Sequence, residues 1–219
     1  METKFILASG SPRRREIFES MGIEYEIITT DAEENVDITN MTPEQTVLEL
    51  AMAKGKAVAD TALLNGENIN IIVSADTIVV DTGKILGKPQ DREEAKKMLK
   101  SLSGGKHSVL TGLCVLKLHP ETGIESFAVS VSTDVYFKTL TEQMIEAYLD
   151  TGEYADKAGS YGIQEKGALL VEKIDGDYFN VVGFPLNRFY ELLRDECKTD
   201  LFCFAGTRET QTSLSYKGG

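Results

Sequence analysis

"FILASGSPRRREIF", residues 5–18, sets an apolar run, a small-residue turn and three consecutive arginines in a row. Phe5–Ala8 reads as a short strand. Ser9-Gly10-Ser11 reads as a turn, with Ser11 at the N-cap and Pro12 at the first position of a helix over 12–21 that Gly22 ends. Arg13, Arg14 and Arg15 then fill the first turn, where unpaired N–H groups and the helix dipole already present about half a positive charge. Acidic residues are favoured at such a place. A capping box also fails, because Arg14 stands where Glu or Gln would close it. The strand–turn–helix order points to an α/β fold, and the misplaced charge points to an anion or to a solvated, solubilising face.

The rest of the chain extends that α/β pattern. Tyr25–Thr29 reads as a second strand, and residues 30–45 as an acidic, turn-rich loop. Thr42-Pro43-Glu44-Gln45 opens a helix to about residue 60, with Thr42 capping and Gln45 closing the box. Ile69–Ala75 is almost continuously apolar, as expected of a strand buried on both faces, and is expected to end at Asp76. A hairpin turning at Asp81–Gly83 follows, then a helix capped by Asp91. Two long strands, His107–His119 and Ile124–Lys138, are joined by Pro120–Gly123 as an antiparallel hairpin. Thr141 caps a further helix over 142–151. A last hairpin is expected with its turn at Asp175-Gly176-Asp177, before a helix from Pro185 to about Glu196. From Cys197 the sequence lacks sustained periodicity. The organisation expected is one domain over 1–196 with an appended, mobile tail over 197–219.

Composition narrows the function. The 219 residues are 42% hydrophobic and 26% charged, with a formal net charge of −12. No run reaches the ~18 apolar residues of a membrane span. No basic leader precedes a long apolar segment, so a secretory signal is not expected. Cys114, Cys197 and Cys203 lack the spacing of a disulfide framework or, with His107 and His119, of a metal site. These features predict a cytoplasmic protein that grips no long nucleic acid and no membrane.

The turn at 9–15 is suited to a phosphate: small residues admit it, a helix N-terminus donates to it, and arginine forks match its oxygens. Neither a Walker loop nor a GxGxxG fingerprint is present. Asp76, after a buried strand, is placed where α/β folds put ligand chemistry, although Asp also simply stops strands. Lys88 before Pro89, and Lys54 and Lys56 on their helix, suit either a phosphate or solvent. Glu33 and Glu34 offer carboxylates to a divalent metal or to water. His107, at a strand start beside a tight turn, reads as structural, and Cys114 as core.

Five segments, "LASGSPRR" (7–14), "SADTIVV" (74–80) with "LGKP" (86–89), "SLSGGKHSVLTG" (101–112), "DKAGSYGIQ" (156–164) and "NVVGFPL" (180–186), together resemble the Maf-type nucleoside triphosphate pyrophosphatases over residues 4–194. The resemblance implies a mixed, twisted sheet flanked by helices, with two lobes around a deep cleft, similar to inosine-triphosphate pyrophosphatases. It implies hydrolysis of a nucleoside triphosphate to the monophosphate and pyrophosphate with Mg2+ or Mn2+. Residue by residue, it places anion binding on Ser9, Arg13 and Arg14, further substrate contacts on Lys54 and Lys88, and the proton acceptor on Asp76. It places the metal on Glu34 and Asp76. Thr77 and Gln164, with Arg13, resemble the specificity positions of the branch acting on dTTP and UTP. The assembly considered is a homodimer. Two other functions fit the same residues: a pyrophosphatase for non-canonical purine triphosphates, and a nucleotide-binding regulatory module.

Overall fold

The protein, as a computed structural model, is described over residues 3–62, 69–119 and 121–204. The opening motif folds as β1 (Thr3–Leu7) and α1 (Pro12–Ser20), followed by the short edge strand β2 (Tyr25–Ile27). The acidic loop carries a single 3-10 turn at Ala32–Asn35 before α2 (Pro43–Ala62). Both halves of the Thr42 capping box form: the Thr42 N–H donates to Gln45 Oε1 at 2.9 Å and the Gln45 N–H to Thr42 Oγ1 at 3.3 Å. Then come β3 (Ile69–Asp81), β4 (Lys84–Leu86), α3 (Arg92–Leu102), β5 (Lys106–His119), β6 (Gly123–Phe137) and α4 (Glu142–Leu149). The chain continues through β7 (Val171–Asp175), α5 (Tyr178–Val182), α6 (Leu186–Asp195) and α7 (Leu201–Phe204).

The strands make one seven-stranded mixed sheet in the order β2-β1-β3-β5-β6-β7, with β4 also on β3. β1 runs parallel to both its neighbours, and the other pairings are antiparallel. On one face α1 and α6 cover Phe5, Leu7, Ile71 and Val73 at one end, while α3 and α4 cover Val79, Val109 and Val135 at the other. On the opposite face α2 covers Ile6, Ile72, Cys114 and Leu116. The apolar run at 69–75 is thus buried on both sides. Burial of these side chains at about 25 cal/mol per Å² drives the layers together.

Three expectations are corrected. β3 does not end at Asp76: its register with β5 continues from Asn70↔Leu118 to Val80↔Ser108, so Asp76 stands mid-strand. The turn at Asp175–Asp177 leads into a helix and not a returning strand, because Asp177 Oδ1 accepts the Phe179 N–H at 2.8 Å and caps α5. Local capping outweighs the strand-like composition of "YFNVV". The boundary drawn at 196 falls inside the packed domain. Cys197 is 4% exposed within the core, the Thr199 N–H donates to the Leu193 carbonyl at 2.9 Å, and Phe202 meets the Tyr190 ring. These contacts follow a turn and so leave no periodic trace. The remainder of the expected tail, 205–219, lies outside the described residues.

One close approach positions the cleft. Gly112 pairs opposite Asp76 and faces α2, where an added Cβ would lie 2.0 Å from the Val47 carbonyl oxygen. Ser74 Oγ donates to the Ala51 carbonyl at 2.7 Å, one turn further along the helix. The absent side chain therefore lets α2 settle against the sheet. Gly112→Ala should cost about 2–4 kcal/mol, because backbone must move to admit the methyl group. Urea unfolding checks this, and a loss under ~0.5 kcal/mol would contradict the tight approach.

Candidate active site

Between Val73 and Val79, one edge of β3 lacks a strand neighbour: β1 pairs up to Val73 and β4 begins at Val79. A cavity of about 700 Å³ opens at this gap, lined by the 9–14 turn, the middle of β3, the Gly87-Lys88 loop and residues 153–165. Successive β3 side chains point to opposite faces of the sheet. Asp76 accordingly turns toward α2 and Thr77 toward α1 and α5, and both line the cleft.

On the α2 side, Lys54 Nζ lies 2.7 Å from Asp76 Oδ1 and 3.0 Å from Glu33 Oε1. All three side chains are largely withdrawn from solvent, with 13%, 18% and 27% of their surface exposed for Lys54, Asp76 and Glu33. One ammonium thus holds two carboxylates in fixed directions. Glu33 Oε2 is buried without a hydrogen-bond partner, a costly state for a carboxylate oxygen. The 3-10 turn decides which acidic residue enters: Glu33 lines the cleft, whereas Glu34 is exposed and lies outside that lining. No spacing rule distinguishes two adjacent glutamates in an irregular loop. The expectation for Glu34 therefore moves to Glu33.

The three arginines have three different fates. Arg13 lines the cleft, and its Nη1 lies 3.4 Å from Asp156 Oδ2 across the opening. Arg14 is buried, donating from Nε to the Gly183 carbonyl at 2.8 Å, from Nη1 to Ser9 Oγ at 3.0 Å and from Nη2 to Thr77 Oγ1 at 3.2 Å. Desolvation lowers its pKa to about 10, against the attraction of Asp76, and it stays cationic at neutral pH. Arg15 is outside the cavity lining. Arg14 is therefore a brace joining the turn, the strand and the end of α5, although the sequence groups it with Arg13. Gly183, at φ 108°, leaves room for that brace: an added Cβ would come within 3.2 Å of Thr77 Oγ1.

Ser9 Oγ also accepts the Ser11 N–H at 3.2 Å, and no side chain caps α1. The helix start thus opens into a cleft with its first-turn donors uncapped, beside Arg13. Lys88 is exposed on the facing loop, and Gln164, half-buried, lines the same cavity. Ser9, Arg13, Arg14, Lys54, Asp76, Thr77, Lys88 and Gln164 all line this one cavity. Thr77 Oγ1 accepts from Arg14 Nη2 and lies 3.0 Å from Thr111 Oγ1. Sequence reasoning did not single out Asp156 or Lys157, whose side chains meet at 2.8 Å beside Arg13. Their presence inside "DKAGSYGIQ" was the available signal.

A family model described as Maf-like protein matches residues 4–196. The chain belongs to that family. The dTTP/UTP pyrophosphatase of Clostridioides difficile (strain 630) is 45% identical over 197 residues, which cover 90% of this chain and 97% of that one. A dTTP/UTP pyrophosphatase of Acetivibrio thermocellus is 45% identical over 194 residues, covering 88% of this chain and 94% of that one. Among solved structures, a HAM1 protein from Coxiella burnetii overlaps at a TM-score of 0.37 and 14% identity, over 62% of this chain and 73% of that one. An overlap that low carries no functional weight. The Maf-like cleft rests on Arg14, and Arg14→Lys should destabilise the protein by about 2–3 kcal/mol, since an ammonium cannot serve three separated acceptors. Chemical denaturation measures this, and a change below ~0.5 kcal/mol would remove Arg14 from the bracing role.

Proposed function

We propose that this Maf-like protein is a nucleoside triphosphate pyrophosphatase, cleaving dTTP and UTP to the monophosphate and pyrophosphate. The observation that carries the reading is the Lys54-bridged pair of Glu33 and Asp76 at the open edge of β3, inside a cleft that also gathers Arg13 and Lys88. A nucleoside triphosphate brings about four negative charges, which such a group of cations answers. The names of the similar proteins, at 45% identity over nearly their whole length, support the same substrates. The free thiols of Cys114 and Cys197 suit a reducing, cytoplasmic setting.

In this reading the phosphates lie against the start of α1, with Arg13 on one side and Lys88 on the other. Asp76 takes the proton of the water that attacks the α-phosphorus, and Lys54 holds its carboxylate in line. Developing charge on the leaving pyrophosphate is met by Arg13 and Lys88. Gln164 pairs with the carbonyl–NH–carbonyl edge of uracil or thymine through its one acceptor and two donors.

The chemistry of the donors fits a divalent cation, Mg2+ or Mn2+. The unpartnered Glu33 Oε2 and the adjacent Asp76 supply hard oxygen ligands. Among the described residues no group of three or more His, Cys, Asp or Glu side chains could hold an ion, so substrate phosphates would complete the shell. Bound there, the ion neutralises phosphate charge. Glu33, and not Glu34, is the loop carboxylate proposed for it.

Incubating the protein with dTTP, UTP, ATP, GTP and inosine triphosphate, and separating products by anion exchange, tests this reading. Expected are monophosphate and pyrophosphate, with dTTP and UTP preferred over ATP and GTP by at least ~10-fold, about 1.4 kcal/mol of selectivity. Preference for inosine triphosphate, or binding without cleavage, would replace it. Asp76→Asn should lower turnover at least ~100-fold while substrate still binds. Near-normal turnover would take Asp76 out of the base role.

A further inference from the structure

The mechanism makes no use of His107, a buried and titratable side chain below the cleft. It is 2% exposed, and its Nε2 lies 2.7 Å from the hydroxyl of Tyr161, itself 5% exposed. Both rings meet Phe137 edge-on, at centroid distances of 5.0 Å for His107 and 4.7 Å for Tyr161. Burial pushes the imidazole down to about 4, so it is neutral at pH 7 and makes this hydrogen bond as an uncharged group. His107 lies outside the cavity lining, whereas Tyr161 is part of it.

Tyr161 belongs to a strap, residues 158–164, that ends at Gln164. Its backbone is strained at Ser160, with φ of 64°, and again just after Gln164 at Glu165, with φ of 53°. Non-glycine residues hold such angles only where surrounding contacts over-determine them. Several contacts hold the strap. The Gly159 N–H donates to the Gly87 carbonyl at 3.0 Å, Ser160 Oγ donates to Met98 Sδ at 3.0 Å, and Tyr161 bonds His107. The first of these ties the strap directly to the loop that carries Lys88. An extended or relaxed strap would change where Gln164 stands relative to that lysine.

We infer that His107 is a positioning residue for base selection: through the Tyr161 hydroxyl it fixes the strained strap and so the distance between Gln164 and Lys88. The inference rests on the pyrimidine-reading role given to Gln164 above. It deepens that role by naming what holds the reader in place. A loosened strap lets Gln164 meet a purine and a pyrimidine more equally, while Asp76, Lys54 and Arg13 on the other side of the cleft keep their geometry. Selectivity therefore falls further than the rate with any one substrate.

Internal competition tests this. dTTP and ATP are mixed in one tube and the two monophosphates are counted, which gives the ratio of kcat/KM values whatever fraction of the enzyme is folded. Tyr161→Phe keeps the ring and removes only the hydroxyl, His107→Phe removes the partner, and His107→Gln restores a polar group at the position of Nε2. We expect the dTTP preference to fall at least ~3-fold in Tyr161→Phe and His107→Phe, and to return within ~2-fold of wild type in His107→Gln. A purely structural role would lower the melting temperature and leave the ratio alone. A change below ~3-fold in Tyr161→Phe overturns the inference while the pyrophosphatase reading stands. A wild-type ratio near one overturns the base-reading role of Gln164, and this inference with it.

Discussion

Along Ser74–Ile78 the edge of β3 away from β5 meets no strand, because β1 stops at Val73 and β4 starts only at Val79. Backbone and side chains at a sheet edge must find other partners or water. Here the gap becomes the cleft. The α2 face of the gap receives Lys54 and Glu33, and the opposite face receives the Arg14 brace. A strand pairing along that edge would close the cavity and leave Asp76 without access. β3 remains firm throughout, since its other edge is bonded to β5 along almost its full length.

Charge is divided on the same plan. The chain carries a net charge of −12, yet Arg13, Lys54, Lys88 and Lys157 converge on one cavity. Carboxylates balance three of them before any ligand arrives: Asp156 meets Arg13 and Lys157, while Glu33 and Asp76 meet Lys54. Exposed pairs such as Arg13–Asp156 hold little energy and exchange readily for a stronger anion. The Lys54 cluster is more withdrawn from water, so its geometry is better fixed. Arg14 is the extreme case, with every nitrogen of its guanidinium committed to protein. The cavity thus combines cations paired with carboxylates and one, Arg14, that also braces the protein around it.

Much of this was legible in the sequence because it rests on local rules. The Ser-Pro start of α1, the Thr42 capping box, the doubly buried run at 69–75 and the hairpins at 81–84 and 119–123 all depend on neighbours within a few residues. What escaped depends on the third dimension. Nothing nearby in sequence states that Arg14 meets Gly183, or that Glu33 rather than Glu34 faces Lys54. Asp76 reads as a strand end because Asp is a poor strand residue, but Gly112 opposite it makes room for α2 and the lysine that neutralises it. Cys197 joins the core through a turn, which no periodic pattern reveals.

In the proposed reaction Asp76 directs water at the α-phosphorus of a triphosphate held by Arg13 and Lys88. Hydrolysis in water enriched in oxygen-18 tests it most directly, with mass spectrometry of both products. Attack at the α-phosphorus puts one heavy oxygen in the nucleoside monophosphate and none in pyrophosphate. Label in pyrophosphate, or release of inorganic phosphate as the primary product, would contradict it.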